Sequence, residues 1–187
     1  MKPVALAVVL AVALLAGCGG GGSKTTSGTT TTTTAAVPSP ADAMRVLIVK
    51  DPSLAGKVET LYESSGWAVV QSHAPGKAHA VVFRLIGNHW VPDKSGAVKL
   101  AILGPQPGAM APKLPQVAIQ FSGKTPFVES ALWVDGMELV EKGGGSPTRG
   151  TIYGAPAANL QPGEHVAVGY ARTALSGGAV AWVFKVG

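Results

Sequence analysis

The sequence predicts a mainly β fold in two parts, a small α+β module over residues 41–103 followed by a β-sandwich over residues 116–187. Short runs of β-branched and aromatic residues alternate with Pro-Gly and Asp-Gly turn signals through most of this region. From residue 116 onward no run repeats with the 3.6-residue period of an amphipathic helix. The second part is therefore expected to consist of strands alone.

The first module is expected to begin with a strand at Met44–Lys50 and to continue with a helix. Asp51 before Pro52 has the pattern of an N-cap with proline at the first helical position. One apolar helical stripe follows, and Gly66 ends it; the stripe consists of Leu54, Val58, Leu61 and Tyr62. About four strands then complete the module, including two β-branched runs joined by a Pro-Gly turn.

Residues 104–115 contain four prolines and two glycines and predict a hinge between the modules. In the second module, Asp135-Gly136 is a strong hairpin signal. Alternation places Leu132 and Val134 on one face and Trp133 on the other, so Trp133 is expected to be at least partly exposed. Two further triplets each share a face and are expected to point into one core: Val166, Val168 and Tyr170, and Val180, Trp182 and Phe184.

The segments "LWVDG", "NLQPGEHVAVGYA" and "AVAWVFKV" together resemble bacterial immunoglobulin-like domains. The resemblance implies two packed antiparallel sheets and a role in adhesion, spacing or ligand presentation without catalysis. The chain has one cysteine, so the inter-sheet disulfide of antibody domains is absent.

The first seventeen residues have the pattern of a secretory leader. Lys2 precedes a twelve-residue apolar run, Val4 to Leu15, which is too short to span a bilayer but suits a signal peptide. The order Leu15-Ala16-Gly17-Cys18 resembles the lipobox of bacterial lipoproteins. The resemblance implies a diacylglyceryl group on Cys18, palmitate-type acylation, removal of residues 1–17 and attachment to the cell membrane facing outside the cytoplasm.

Residues 18–40 are rich in Gly, Ser and Thr and end with two prolines. Such a segment cannot bury enough apolar surface to offset the entropy of ordering it, so we expect a disordered tether. A flexible coil of about twenty residues has an r.m.s. length of ~25 Å. The tether would therefore lift the modules clear of the lipid headgroups.

Charge argues against nucleic acid as a partner. The net charge is +5, or +4 once Lys2 leaves with the leader, and the lysines are scattered singly rather than clustered with aromatics. The partners expected instead are the membrane, through the lipid on Cys18, and an envelope protein or wall polymer.

Catalytic and metal chemistry find little support in the sequence. Ser146 lacks the G-x-S-x-G pattern of a nucleophile elbow. The carboxylates of Asp135, Glu138 and Glu141 are expected at a turn tip or in solvent rather than as a hydrolytic pair. His73 and His79 flank a hairpin turn and are weak candidates for a copper or zinc site, which His89 or Met110 would have to complete.

The sequence therefore predicts a non-enzymatic surface lipoprotein with no cofactor and no catalytic residues. It presents β-rich modules for binding or serves as a spacer. The alternative is an envelope accessory protein that binds a small ligand, a metal ion or a glycan. Glycan binding would use exposed tryptophans such as Trp90 or Trp133. A cell-wall enzyme is the least favoured hypothesis.

Overall fold

The computed structural model describes residues 36–187, which cluster into one compact unit. A helix, α1 (Pro40–Lys50), packs on a four-stranded antiparallel sheet that we call the cover sheet. In spatial order the cover sheet consists of β1 (Lys57–Ser64), β2 (Trp67–Ala74), β3 (Lys77–Ile86) and β4 (His89–Pro92). No helix within residues 36–187 is long and apolar enough to cross a membrane.

Two further sheets form a sandwich. The outer sheet consists, in spatial order, of β10 (Lys142–Ser146), β11 (Arg149–Gly154), β7 (Val117–Ser122) and β5 (Lys99–Gly104). The central sheet consists of β6 (Met110–Ala111), β13 (Gly177–Val186), β12 (Gly163–Thr173), β8 (Phe127–Val134) and β9 (Met137–Glu138). The pairing of β6 with β13 is parallel, and the other pairings in these two sheets are antiparallel.

The strand order of this sandwich is that of an immunoglobulin-like domain. With β5, β7, β8 and β9 taken as strands A, B, C and C′, and β10 to β13 as D to G, the outer sheet reads A-B-E-D and the central sheet G-F-C-C′. The remaining short strand, β6, carries the chain from the outer sheet across to strand G. The prediction of a mainly β fold with an immunoglobulin-like sandwich is therefore confirmed.

The strand predicted at Met44–Lys50 is wrong, because this segment is helical. Ser39 caps the helix by accepting a hydrogen bond from the backbone N–H of Asp42 at 3.2 Å, and Pro40 occupies the first helical position. Met44 is fully buried against the cover sheet. The cap and the burial of one helical face outweigh the β propensity of the run Val46-Leu47-Ile48-Val49.

The helix predicted through Leu54 to Tyr62 is also wrong, because residues 57–64 form β1. The register between β1 and β2 shifts between Thr60 and Tyr62, which leaves Leu61 as the extra residue of a β-bulge. Leu61 and Tyr62 consequently both pack against the interior of the protein. Because of the bulge, two consecutive apolar residues of the strand lie on its buried side, as they would on the apolar face of a helix. Asp51 does act as a cap, but of a single 3₁₀ turn at Pro52–Leu54.

Two-residue turns join the first three strands of the cover sheet; the sequence indicated the second as a turn between strands, whereas Gly66 was expected to end a helix. A two-residue turn at Ser65-Gly66 joins β1 to β2, with both residues at positive φ. A second two-residue turn at Pro75-Gly76 joins β2 to β3. Strands with β-branched runs on both sides of a Pro-Gly turn were therefore recognised correctly.

The boundary expected at residue 103 does not separate two modules. β5, which was assigned to the first module, pairs with β7 of the sandwich and supplies its first strand. The expected hinge 104–115 includes β6, and two hydrogen bonds fasten it to β13: Gly108 N–H to Val183 O (2.8 Å) and Lys185 N–H to Ala109 O (2.9 Å). These backbone hydrogen bonds to the edge of the sandwich hold the segment in place, although its proline and glycine content predicts a flexible hinge.

The layers stack in the order α1, cover sheet, central sheet, outer sheet, and a separate apolar core fills each gap. The central sheet is consequently buried on both faces. Leu132 and Val134 face the outer sheet, and Trp133 faces the cover sheet, as alternation predicted. The expectation that Trp133 is partly exposed is wrong: it is 1% exposed.

The two triplets of β12 and β13 do not share one core. Ala167 is the direct partner of Trp182, so Ala167 and Trp182 lie on the same face, while Val168 lies on the other. Val180, Trp182 and Phe184 therefore face the outer sheet, whereas Val166, Val168 and Tyr170 face the cover sheet. Alternation along each strand does not show that the cover sheet packs on the central sheet and buries the second set, so the expectation of one shared core is wrong.

Candidate binding grooves

Residues 1–35 lie outside the described residues. The signal peptide over residues 1–17, the lipidation of Cys18 and nearly all of the tether over residues 18–40 therefore stay predictions. The last residues of the expected tether are described, and Ser39 and Pro40 there start α1.

His73 and His79 do not form a pair. His73 is the direct partner of Ala78, and His79 is the direct partner of Ser72. Because directly paired residues share a face and neighbours alternate, the two imidazoles point to opposite faces of the cover sheet. Within residues 36–187 no three His, Cys, Asp or Glu side chains are grouped so that they could hold a metal ion.

The tryptophans do not form a platform for sugar binding. Their exposed fractions are 6% for Trp67, 9% for Trp90, 1% for Trp133 and 3% for Trp182. Each ring is part of an apolar core or its rim, so the glycan alternative loses the surface aromatics on which it depended.

His165 and Asp135 form a pair that resembles part of a catalytic triad, but it serves as a clamp. His165 Nδ1 lies 2.7 Å from Asp135 Oδ2, and its Nε2 lies 2.7 Å from the carbonyl oxygen of Gln161. The other oxygen of Asp135 accepts from the backbone N–H of Val166 at 2.9 Å. Both ring nitrogens are thus engaged, and the ring ties the β8–β9 turn to the start of β12.

The electrostatics of this clamp favour the protonated imidazole. Burial lowers the pKa of His165, but the hydrogen bonds to Asp135 and to the Gln161 carbonyl outweigh burial and leave the pKa above its ordinary value of 6.5. A doubly protonated ring can donate to both acceptors at once. Both ring nitrogens of His165 are thus satisfied within the protein, one by the Asp135 carboxylate and the other by the Gln161 carbonyl oxygen.

The other candidate catalytic residues do not form a hydrolytic site with Ser146. Ser146 lies on the exposed edge strand β10, and its hydroxyl lies 3.4 Å from the carbonyl oxygen of Arg149. Glu138 is exposed on β9. Glu141 is half-buried beside Ser130 (3.5 Å), and burial, together with the charge of Glu138, raises its pKa to about 7. These residues present no nucleophile next to a free base.

A groove of about 590 Å³ lies between α1 and the β3–β4 hairpin, and we call it the helix groove. The buried rings of Phe83 and Trp90 lie at its base. Val46 of α1 and Val91 of β4 line it from opposite sides and are 57% and 40% exposed. Apolar side chains thus face solvent across a concave surface of the size typical of small-molecule sites.

The rim of the helix groove is basic. Lys50 and Lys94 line it, and neither belongs to an ion pair within residues 36–187. The acidic lining residue, Asp42, accepts hydrogen bonds from Ser39 Oγ at 2.8 Å and from Arg45 Nη1 at 2.6 Å. These two hydrogen bonds lower the pKa of Asp42, so its carboxyl stays ionised, and the positive charge of Arg45 offsets that negative charge. This groove could not be expected from a strand at Met44–Lys50, because one of its sides is the helix α1.

A second cavity, of about 630 Å³, lies between the β2–β3 turn and β13, and we call it the hairpin cleft. Lys77, Lys185 and Trp182 line it, and the indole Nε1 of Trp182 is buried with no acceptor among the described residues. Glu164 also lines the cleft. Its carboxylate accepts from the backbone N–H of Gly76 at 3.0 Å and lies 3.7 Å from Lys185 Nζ.

Polar and aromatic contacts fix the cover sheet to the central sheet. Arg172 Nε donates to Glu129 Oε2 at 2.6 Å, and the Arg172 guanidinium carbon lies 5.6 Å from the centre of the Trp67 ring. Arg84 lies 5.0 Å from the same ring and donates to the Leu175 carbonyl oxygen at 3.1 Å. The side chains in this cluster are engaged with one another, which indicates a structural role at the junction.

The strand order alone defines the sandwich as immunoglobulin-like. The chain is similar to Dpr2 Ig1-Ig2 in its complex with DIP-theta Ig1-Ig3, with a TM-score of 0.35 and 10% identity over 64% of this chain and 40% of that one. It is similar to the titin M10–obscurin-like 1 Ig complex, with a TM-score of 0.31 and 16% identity over 48% of this chain and 94% of that one. It is also similar to the titin Ig tandem domains A164-A165, with a TM-score of 0.32 and 6% identity over 65% of this chain and 62% of that one. No protein-family model and no curated protein matches the chain.

Proposed function

We propose that this chain is a non-catalytic binding protein of the bacterial cell envelope, held at the membrane by a lipid on Cys18. The immunoglobulin-like sandwich supports a role as an interaction module, because such sandwiches present binding surfaces on a rigid scaffold. The order Leu15-Ala16-Gly17-Cys18 supports the anchor and the location outside the cytoplasm. Residues 18–35 would then connect the membrane to the folded part.

The helix groove is the observation that carries the binding role. Val46 and Val91 are exposed apolar side chains on opposite sides of one concave surface. Single exposed apolar residues are common on protein surfaces, but apolar residues that line the same groove are typical of a binding site. The position of the groove also suits the proposed architecture, because Pro38 lines it and belongs to the segment that leads back to Cys18. A binding site at this place would lie on the membrane-proximal part of the chain.

The non-catalytic part of the proposal draws support from the His165–Asp135 pair. A general base needs a ring nitrogen that is free to take a proton from a substrate. In this pair Nδ1 lies against a carboxylate and Nε2 against a backbone carbonyl, so neither ring nitrogen is open to a substrate.

Metabolic labelling and detergent phase separation test the anchor. The full chain, residues 1–187, is expressed in a bacterial host that processes lipoproteins and is fed an alkyne-labelled palmitate. We expect the wild-type chain to carry the label and to partition into the detergent phase. The Cys18→Ser chain should carry no label and should partition into the aqueous phase or keep its leader. A mature wild-type chain in the aqueous phase, or label that persists after Cys18→Ser, would contradict the anchor.

A further inference from the structure

We propose that the helix groove binds an amphiphilic monoanion, a small carboxylate with an aliphatic tail. This inference rests on the binding role proposed above and names its ligand class. It does not depend on the lipid at Cys18, because the groove is formed entirely by residues 38–94.

The walls of the groove favour an aliphatic tail. Leu47 and Val46 line it from α1, and Val91 lines it from β4, above the rings of Phe83 and Trp90. A tail lying between these side chains would cover the exposed parts of Val46 and Val91. Each methylene group removed from water strengthens binding by about fourfold. The affinity should therefore rise with tail length until the groove is filled.

The rim favours a single negative charge at one end of the ligand. Lys50 and Lys94 carry positive charges that no carboxylate within residues 36–187 pairs with. The acidic residues next to them in sequence are engaged elsewhere: Asp51 caps the 3₁₀ turn, and Asp93 accepts from the backbone N–H groups of Ser95 and Gly177. An anion that reaches the rim thus meets two lysines that form no ion pair among residues 36–187, while the acidic lining residue, Asp42, is paired with Arg45.

A carboxylate suits this rim better than a phosphate or a flat polyanion. The cationic lining is made of two lysines, which act as point charges, and the groove-lining residues between 38 and 94 include no arginine fork for bidentate phosphate recognition. The hairpin cleft is the competing location. There Lys185 lies near Glu164 and Glu164 is itself engaged, so the cleft offers less uncompensated charge.

Titration with octanoate, followed by NMR of the tryptophan indole N–H groups, tests the proposal. The sample is the unlipidated mature chain, residues 18–187 with Cys18→Ser, and Trp→Phe variants assign the four indole signals. Trp90 lines the helix groove, Trp182 lines the hairpin cleft and Trp133 lines neither. We expect saturable shifts of the Trp90 signal alone. Hexanoate should bind about fifteenfold more weakly than octanoate, because it lacks two methylene groups, and uncharged 1-octanol should bind more weakly as well.

Two variants of exposed residues separate binding from folding. Val46→Asp places a like charge on the groove wall and should abolish saturable binding. Val49→Asp is its matched control, because Val49 is on the same helix, is 82% exposed and does not line the groove. Lys50→Gln combined with Lys94→Gln should weaken octanoate binding by about tenfold, in line with two partly exposed ion pairs. Lys77→Gln combined with Lys185→Gln, in the hairpin cleft, should leave the affinity unchanged.

Several results would overturn the proposal. Shifts of the Trp182 signal, or loss of affinity with the cleft variants, would place the ligand in the hairpin cleft. Equal binding of octanoate and 1-octanol would remove the role of the lysines. Binding to phosphatidylglycerol vesicles without binding to dissolved octanoate would make the face a membrane-contact surface instead. No saturable shift of any indole signal would leave the groove without this ligand class, whereas the labelling of Cys18 would still decide the anchor separately.

Discussion

Trp133→Ala is expected to destabilise the protein about as much as Trp182→Ala. Trp133 is 1% exposed and packs between the central sheet and the cover sheet, with its ring centre 6.3 Å from that of Tyr170. Trp182 is 3% exposed and packs between the central sheet and the outer sheet. A buried tryptophan removes ~150–250 Å² from water, which at ~25 cal/mol/Å² sets an upper bound of ~4–6 kcal/mol. Measured truncations of large aromatic residues cost ~3–5 kcal/mol.

Urea denaturation of the unlipidated mature chain measures both effects. Each substitution should lower the free energy of unfolding by about 3–5 kcal/mol, which is a large part of the ~5–15 kcal/mol of an ordinary domain. Val140→Ala is the control, because Val140 is 86% exposed and its truncation should change the free energy by less than ~0.5 kcal/mol. Where an alanine variant does not fold, the phenylalanine variant at the same position gives the comparison.

The reasoning is refuted if Trp133→Ala costs less than about a third of what Trp182→Ala costs. That result would mean that the cover sheet does not bury the outward face of the central sheet in solution. A cycle adds a second check. Trp67 shares a core with Trp133 and not with Trp182, so Trp67→Phe should couple to a substitution at Trp133 and add independently to one at Trp182.

Three further substitutions test packing and charge. Gly169→Ala should cost about 1–3 kcal/mol, because its Cβ would lie 2.7 Å from a side chain of the outer sheet, while Gly144→Ala, with nothing within 4 Å, should cost far less. The raised pKa of His165 contributes stability that is present below pH 6.5 and is lost as pH rises through the folded-state pKa; Asp135→Asn should flatten this part of the pH profile in urea titrations. Burial raises the pKa of Glu141 from 4.5 to about 7, so the free energy of unfolding falls as pH rises across that interval. Glu141→Gln should remove this fall and raise the stability at pH 8. A pH profile of stability that Asp135→Asn or Glu141→Gln leaves unchanged would contradict the role assigned to His165 or to Glu141, respectively.

The strands of the sandwich and the hairpin turns could be predicted because their signals are local. Pro75-Gly76 and Asp135-Gly136 encode their turns directly, and alternation along β8 separates Trp133 from its two neighbours. The errors arose where non-local contacts decide the outcome. The bulge at Leu61 exists only because β1 pairs with β2, and the burial of Trp133 exists only because a second sheet covers the first.

The helix groove was beyond prediction for a related reason. Its two sides come from α1 and β4, which are about forty residues apart in the sequence, and the wrong secondary structure for Met44–Lys50 hid one of them. A signal for the helix was nevertheless present. Ser39 followed by Pro40, with Asp42 in the first turn, is the usual start of a helix. The β-branched residues that follow outweighed it in the sequence reading.

The cover sheet also determines where this protein can bind a partner. In a two-layer sandwich the outward face of the G-F-C-C′ sheet is open, but here Val168 and Tyr170 on that face are fully buried. Using this face for a partner would require the cover sheet to separate from it. That separation would expose the apolar core between the two sheets. It would also break the contact between Arg172 and Trp67 and the hydrogen bond from Arg84 to the Leu175 carbonyl oxygen, both of which join the sheets. The cost far exceeds what a transient interface recovers. Among residues 36–187, the surfaces that a partner could reach are those that the layers leave open: the solvent face of the outer sheet, the loops at the two ends, and the grooves that the helix and the cover sheet themselves create.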